Sequence, residues 1–423
     1  MSEMLNNYLE NKKILICGFG REGQSTLNYI EQNLPNLSVT VASKNMDENI
    51  TKNFSKHKFI ETEDFQSLIN DFDIVIKSPG IPFINYDIKT EVTCQTDLFL
   101  RFAKGKKIGI TGTKGKTTTT TLIYQILSLK YEKVHYMGNM GIPVLNFIDL
   151  TDEDSICVIE MSSHQLEFCK ASPDISVITN IYEEHLDHYK DFNAYVSAKF
   201  NIVKYQTEEN FYIINKDVNY YMDFSKLRAK RIQTEQNREF YDLTKNLKGK
   251  HNKADIDYAV TVVKLLNVED EFIKKALTDY KGLEHRMEKV GTFKEITFYN
   301  DAIATVPKAV IYAIDALQEV DTLIFGGMDR KINYSDFIEI LKNSNIRNFI
   351  CMPETGNKIG KELEKYKNVF YLEKMQDVVK KAYEVTEKGK ICLMSPAAPS
   401  YNRYRDFEEK GRKFKEYIQK FGN

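Results

Sequence analysis

The glycines of this chain fall where short apolar runs end, and that placement limits the fold more than any other feature. KKILIC (12–17), SVTVA (38–42) and DIVIK (73–77) are strand-like, with amphipathic stretches between them. KKIGIT (106–111) opens a second series that continues with KVHYM (133–137), ICVIE (156–160), DISVITNI (174–181) and FYIIN (211–215). A third series holds TLIFGG (322–327), NFICM (348–352), NVFYL (368–372) and KICLMS (390–395). Apolar strands that alternate with helical patterns predict parallel sheets covered on both faces. At 423 residues the chain is too long for one ordinary core. Boundaries near 95 and 285 divide it into three α/β domains, 1–95, 96–285 and 286–423.

Composition removes several alternatives. Lys plus Arg is 59 and Asp plus Glu is 60, so the net charge of −1 excludes a nucleic-acid protein held by bulk electrostatics. No apolar run approaches the roughly 18 residues of a membrane span, and MSEMLNNYLENKK lacks the apolar block of a signal peptide. The six cysteines form no CxxC pair, and Cys17, Cys157 and Cys392 lie inside strand-like runs. The expectation is a cytoplasmic protein with reduced, buried thiols and no membrane insertion.

In open parallel sheets ligands bind at the carboxyl ends of strands, so the loops there carry the function. ITGTKGKTTTT (110–120) lies between a strand and the apolar helical pattern TLIYQIL. Gly112 and Gly115 let backbone N–H groups converge on phosphate oxygens, Lys116 can reach terminal phosphates, and the Thr117 hydroxyl suits Mg²⁺. Ile110 stands where the longer phosphate-loop pattern has glycine, which makes this a shortened variant, G-x-x-G-K-T. The competing reading is a basic turn capped by threonines.

GFGREG (18–23) also fits a dinucleotide fingerprint, but the second strand ends in Ala42, Ser43 and Lys44 rather than an acid for a ribose. A nucleoside diphosphate therefore fits better than a nicotinamide cofactor. Glu160 ends its strand in EMSSHQLE, and NIYEEHLDHY offers Glu184, His185, Asp187 and His188 after the next. Their convergence on one sheet edge suits a second Mg²⁺. Taken alone, each is a polar helix start with Ser162 and Ser163 as caps. Zinc lacks matching cysteines. Lys199, in FNAYVSAKFNIV, reads on spacing alone as a solvated lysine.

The ordered set TGTKGKTTT, GNMGIP, EMSSHQLE, NIYEEHLDHY, GKHN, HRME, YNDA, GGMDRK and SPAAPSYNRYRDFEEKG resembles the Mur ligases of peptidoglycan synthesis, from about residue 13 to 415. The resemblance implies a Rossmann-like N-terminal domain for a UDP substrate. It also implies a central P-loop ATPase-like domain and a Rossmann-like C-terminal domain for the incoming amino acid. The closing segment looks most like the glutamate-adding member, an ADP-forming ligase acting on UDP-N-acetylmuramoyl-L-alanine through an acyl phosphate. D-glutamate is the expected amino acid, with L-glutamate or another amide ligation as alternatives, and the enzyme is expected to be a monomer.

Carried over by motif, Lys116, Glu160, His185 and Lys199 form the catalytic set, with Thr117, Glu160, His185 and a carbamylated Lys199 holding two Mg²⁺. Gly112, Thr113, Lys114, Gly115, Thr117, Thr118, Asn139, Asn252, Arg286 and Asp301 would meet ATP. Gly20, Arg21, Glu22, Ser43, Ser78, Ser162, Thr305, Arg330, Ser400 and Phe407 would meet the other substrates. Three positions depart from the family pattern: Ile303 replaces a lysine, Glu284 a proline, and Asp255 a second asparagine. The first puts the stereochemistry of the added glutamate in question.

Overall fold

The computed structural model describes residues 3–46, 51–138, 142–185, 188–214, 218, 221, 223–244, 247, 250–329, 332–401 and 403–422, the side chains of 250 and 251 aside. It forms three sheets. The first contains β1 (Ile14–Cys17), β2 (Thr40–Ser43), β3 (Lys58–Glu61), β4 (Ile74–Lys77) and β5 (Glu91–Thr93), in the order β3-β2-β1-β4-β5. Every pair in it is parallel. The second contains β6 (Lys106–Thr111), β7 (Val134–Gly138), β8 (Ile156–Glu160), β9 (Ile175–Ile178), β10 (Phe211–Ile214) and β11 (Lys230–Ile232). Its order is β11-β10-β9-β6-β8-β7, again all parallel.

The third sheet differs from expectation. It joins β12 (Glu288–Phe293), β13 (Ile296–Asn300), β14 (Val320–Phe325), β15 (Asn348–Cys351), β16 (Asn368–Tyr371) and β17 (Ile391–Met394) in the order β12-β13-β17-β14-β15-β16. Four pairs are parallel, but β12 and β13 form an antiparallel hairpin with a register shift between Lys289 and Gly291. Lys294 and Glu295 make its two-residue connection, with φ of 48° and 66°. So short a link can only bring the chain back antiparallel.

The chain separates into two compact units, residues 1–280 and 281–423. The first unit carries two sheets because a shared core joins them. Leu98 and Phe99, on the helix Gln95–Phe102 that follows β5, are fully buried in one cluster with Ile16 and Ile76 of the first sheet and Ile159 and Ile178 of the second. The helix that begins at position 95 thus sets Leu98 and Phe99 into a core that both sheets share. In the first sheet, β1 is flanked by β2 and β4; in the second, β6 is flanked by β8 and β9. Those are the points where strand order reverses, and a crevice opens there for a ligand.

Candidate active site

β6 places its loop at such a crevice. Gly112 and Gly115 have φ of 148° and 85°, and Gly115 caps the helix Lys116–Ser128. Both are required sterically: a Cβ at Gly112 would stand 1.9 Å from Thr179 Oγ1, and one at Gly115 would stand 2.4 Å from Asp255 Oδ1. β9 ends at Ile178, short of the expected 181, and the released residues hold the loop. Asn180 accepts from Thr113 N at 2.9 Å through its carbonyl and from Lys114 N at 2.8 Å through its side chain. Thr179 Oγ1 and Asn180 Nδ2 donate to the Lys114 carbonyl at 2.6 and 2.9 Å. Thr113 Oγ1 accepts from Tyr182 N and shares a hydrogen bond with the Tyr195 hydroxyl, both at 2.9 Å. The helix N-terminus is therefore held open toward an anion.

Lys116 Nζ donates to the loop's own carbonyls, Gly112 at 2.9 Å and Thr113 at 3.1 Å. Thr117 and Thr118 are buried at the start of the helix. Glu160 ends β8 between Ile110 of β6 and Gly138 of β7, and it is 1% exposed. Lys199 is not solvated, as its spacing suggested, but 2% exposed. Its Nζ donates to the Gly112 carbonyl at 3.0 Å and lies 4.8 Å from the centre of the Tyr195 ring. Burial, then the positive charge of Lys116, holds Lys199 well below the usual lysine range, with Glu184 and Glu160 opposing. An amine in that state spends more of its time neutral, and a neutral amine is a nucleophile.

His185 sits at φ 60° with its side chain 45% exposed, its Nε2 3.8 Å from Glu184 Oε2. Glu184 also pairs with Lys114. The ring of His164 packs 4.6 Å from His185 and 4.1 Å from His188. Burial and the neighbouring cations push His164 down to about 3. Ser162 caps the short helix Ser163–Leu166 in a reciprocal box with Gln165. Asn252 lies half-buried in the first turn of the helix Lys250–Leu265, and Asp255 behind it accepts from Thr119 Oγ1 at 3.2 Å. Asn139 and Asp187 lie outside the described residues.

The loop after β1 is packed differently. A Cβ at Gly23 would fall 2.0 Å from the Gly18 carbonyl oxygen, and Ser78 Oγ donates to that same oxygen at 3.2 Å. Gly20 and Arg21 are exposed and Ser43 is half-buried. Lys44, just after β2, pairs at 2.5 Å with Glu63 on the surface.

In the second unit, Asp301 follows β13 and is buried, accepting from Ser395 Oγ at 2.8 Å and Met287 N at 3.1 Å. Burial raises its carboxyl to about 6. Arg286 is exposed, Thr305 and Ile303 are half-buried, and Phe407 sets its ring 6.1 Å from His285. Ser400 is buried, its hydroxyl without a hydrogen-bond partner among the described residues. Glu284 pairs with Lys415, which lowers its carboxyl. Arg330 lies outside the described residues. Lys410 escaped the sequence reading: it is fully buried and donates to the Gly326 carbonyl at 2.7 Å. Asn180 escaped as well, because nothing in its spacing signals that its side chain returns to the phosphate loop.

A glycine loop on a helix N-terminus, with a buried carboxylate and a buried amine around it, defines a phosphate-binding α/β protein. Residues 110–278 match the Mur ligase middle domain, and 285–398 match the Mur ligase glutamate ligase domain. The UDP-N-acetylmuramoylalanine–D-glutamate ligases of Lachnoclostridium phytofermentans and Oenococcus oeni are 32% and 33% identical. They cover 97% and 98% of this chain, which spans 98% of each relative. Among solved structures, a UDP-N-acetylmuramate–alanine ligase of Thermotoga maritima aligns with a TM-score of 0.58 at 16% identity, over 97% of this chain and all of its own. A MurF ligase from the same organism, in complex with ADP, aligns over the whole of both chains with a TM-score of 0.56 at 17% identity. The chain belongs to the Mur ligase family.

Proposed function

We propose that this enzyme joins D-glutamate to UDP-N-acetylmuramoyl-L-alanine with hydrolysis of ATP to ADP and phosphate. The observation that carries the reading is the meeting of a phosphate loop, the Glu160 carboxylate and the buried Lys199 amine on one edge of the second sheet. The names of the full-length relatives support the choice of substrates. No described helix is long and apolar enough to cross a membrane.

The donors suit magnesium. Mg²⁺ prefers oxygen, which the Thr117 hydroxyl and the Glu160 carboxylate supply, and His185 adds an imidazole on the same edge. Lys199, kept short of protons, can add to CO₂ and so present a carbamate oxygen at the loop. Bound magnesium would neutralise charge on the phosphate oxygens.

The chain's own residues do the rest by placement. A carboxylate is a poor acyl donor, so one of its oxygens bonds to the γ-phosphorus while the bond to ADP breaks. The loop N–H groups hold the phosphates in line, and Lys116, released from the Gly112 and Thr113 carbonyls, offsets the charge that builds on them. The glutamate nitrogen then bonds to the acyl carbon, loses a proton, and phosphate leaves. The buried Ser400 hydroxyl and the Thr305 and Phe407 side chains are our assignment for the glutamate end, and Asn252 is our assignment for the nucleotide.

Phosphate release from ATP, measured with UDP-N-acetylmuramoyl-L-alanine and each glutamate enantiomer, tests this. Turnover with D-glutamate is expected. Turnover with L-glutamate alone would overturn the stereochemistry and make 300–307 and 400–407 the specificity segments, and silence with both would remove the substrate assignment.

A further inference from the structure

Glu22 opens the helix Arg21–Asn33, yet it turns its carboxyl into the protein. Its Oε1 accepts from Gln165 Nε2 at 2.8 Å, and its Oε2 is buried without a hydrogen-bond partner among the described residues. The Glu22 carbonyl accepts from Gln95 Nε2 at 2.7 Å, and the same amide reaches Thr26 Oγ1 at 2.8 Å.

Gln165 is buried and engaged at every polar atom. Its Oε1 accepts from Ser162 N at 3.0 Å, its N–H donates to Ser162 Oγ at 3.2 Å, and its carbonyl receives the thiols of Cys94 and Cys169, each at 3.1 Å. One side chain from the short helix after β8 therefore grips the glycine loop after β1. The shared apolar core gives the two sheets a common foundation, but apolar contact is non-directional and leaves small slides open. A directed hydrogen bond between two buried groups does not.

We propose that Glu22 is a positioning residue: through Gln165 it fixes the first sheet's glycine loop against the Ser162 loop of the second, so that one elongated substrate meets both at a set spacing. The proposal rests on the reading above, in which the nucleotide end of the substrate lies on the first sheet and its carboxylate lies beside the phosphate loop.

The surroundings make the carboxyl easier to protonate than an ordinary glutamate. Burial pushes it up to about 7, against the Gln165 hydrogen bond and the charge of Lys77. That lysine, from β4, is engaged at 2.9 Å by Glu167, which His188 also approaches at 3.2 Å. Gln95 and Gln165 are uncharged, and the Cys169 thiol is held protonated, well above its usual range.

The test exchanges the two partners. In Gln165→Glu two carboxyls face each other, and both cannot ionise at that separation. In Glu22→Gln/Gln165→Glu an amide again meets a carboxyl, with donor and acceptor reversed. At pH 8, Gln165→Glu is expected to raise KM for UDP-N-acetylmuramoyl-L-alanine at least tenfold with a smaller change in kcat, and the double variant to recover most of it. The Kd for ADP, read on each variant, should stay within about twofold of wild type, which shows that the phosphate loop is folded.

A double variant as impaired as Gln165→Glu would mean that Gln165 serves the substrate itself, and it would overturn the proposal. So would a Gln165→Glu enzyme with the wild-type KM. Absence of turnover in the wild type would instead overturn the substrate reading, and the proposal with it.

Discussion

The first unit contains two glycine loops of similar appearance, GFGREG after β1 and TGTKGKT after β6, and they are built for different work. In the first, glycine serves packing: Gly23 lies where any Cβ would strike the Gly18 carbonyl, Glu22 faces inward, and Lys44 turns away to Glu63. In the second, glycine serves charge: Gly112 and Gly115 adopt left-handed conformations beneath Lys116 and Lys199. Glycine spacing alone says that the backbone comes close to something. Which cations the neighbouring elements deliver decides whether that something is a phosphate.

The comparison breaks most sharply at Lys116. Lys116→Ala should lower kcat on the order of 10²–10³-fold while the melting temperature stays unchanged, because the lysine serves charge rather than packing. A well-folded variant of near-normal activity would refute that role.

Lys199→Ala comes next. Activity should fall steeply, bicarbonate should not restore it, and a short-chain carboxylate should restore part by supplying the missing oxygen. A fully active Lys199→Ala enzyme would leave the second loop with one working lysine.

Gly23→Ala should show the opposite signature. Forcing a methyl group against the Gly18 carbonyl is expected to cost about 3 kcal/mol of stability, seen as a lower denaturant midpoint. The Kd for ADP should barely move. If ADP affinity falls in step with stability, the two loops are not separable.

The most gradual effect is a pH dependence. Glu22 has its carboxyl raised to about 7 in the folded protein from an ordinary value of 4.5. The folded state therefore holds a proton that the unfolded chain gives up, and stability falls as pH rises from about 4.5 to 7, then levels off. The full change is on the order of 3 kcal/mol. Urea unfolding between pH 5 and 8 measures it, and Glu22→Gln should flatten the curve.

Much of this was legible beforehand, and the failures share a cause. Every strand read from an apolar run exists, since an apolar run of strand length writes itself into composition even where, as in β16, the strand ends at a half-exposed edge. Of the strands that were not read, β3, β5, β11 and β12 lie at sheet edges, are short or half-exposed, and carry residues such as Lys58, Glu61, Lys230 and Glu288, whereas β13 is interior and alternates buried with half-buried residues. Polar edge strands look like loops because one side faces water. Lys199 failed on spacing for a similar reason: a helical period shows that a face exists, but not that a lysine on it is turned against a phosphate loop. The motif resemblance singled that lysine out. Glu22 was assigned to the substrate from its loop, and only the three-dimensional neighbourhood reveals Gln165 as its partner.

The buried thiols have a practical consequence. Cys17 and Cys94 belong to the first sheet and its following turn, Cys157 and Cys169 to the second, and Cys351 and Cys392 to the third, and all six are buried as free thiols. Burial pushes Cys17 and Cys157 up to about 12 and raises Cys351 and Cys392 as well, so none of these four offers a thiolate to reagent while its sheet is closed. The molecule therefore carries a pair of chemical clocks in each sheet. Pulsed alkylation in rising denaturant, read by mass spectrometry, would record the order in which the three sheets open, with no label engineered in.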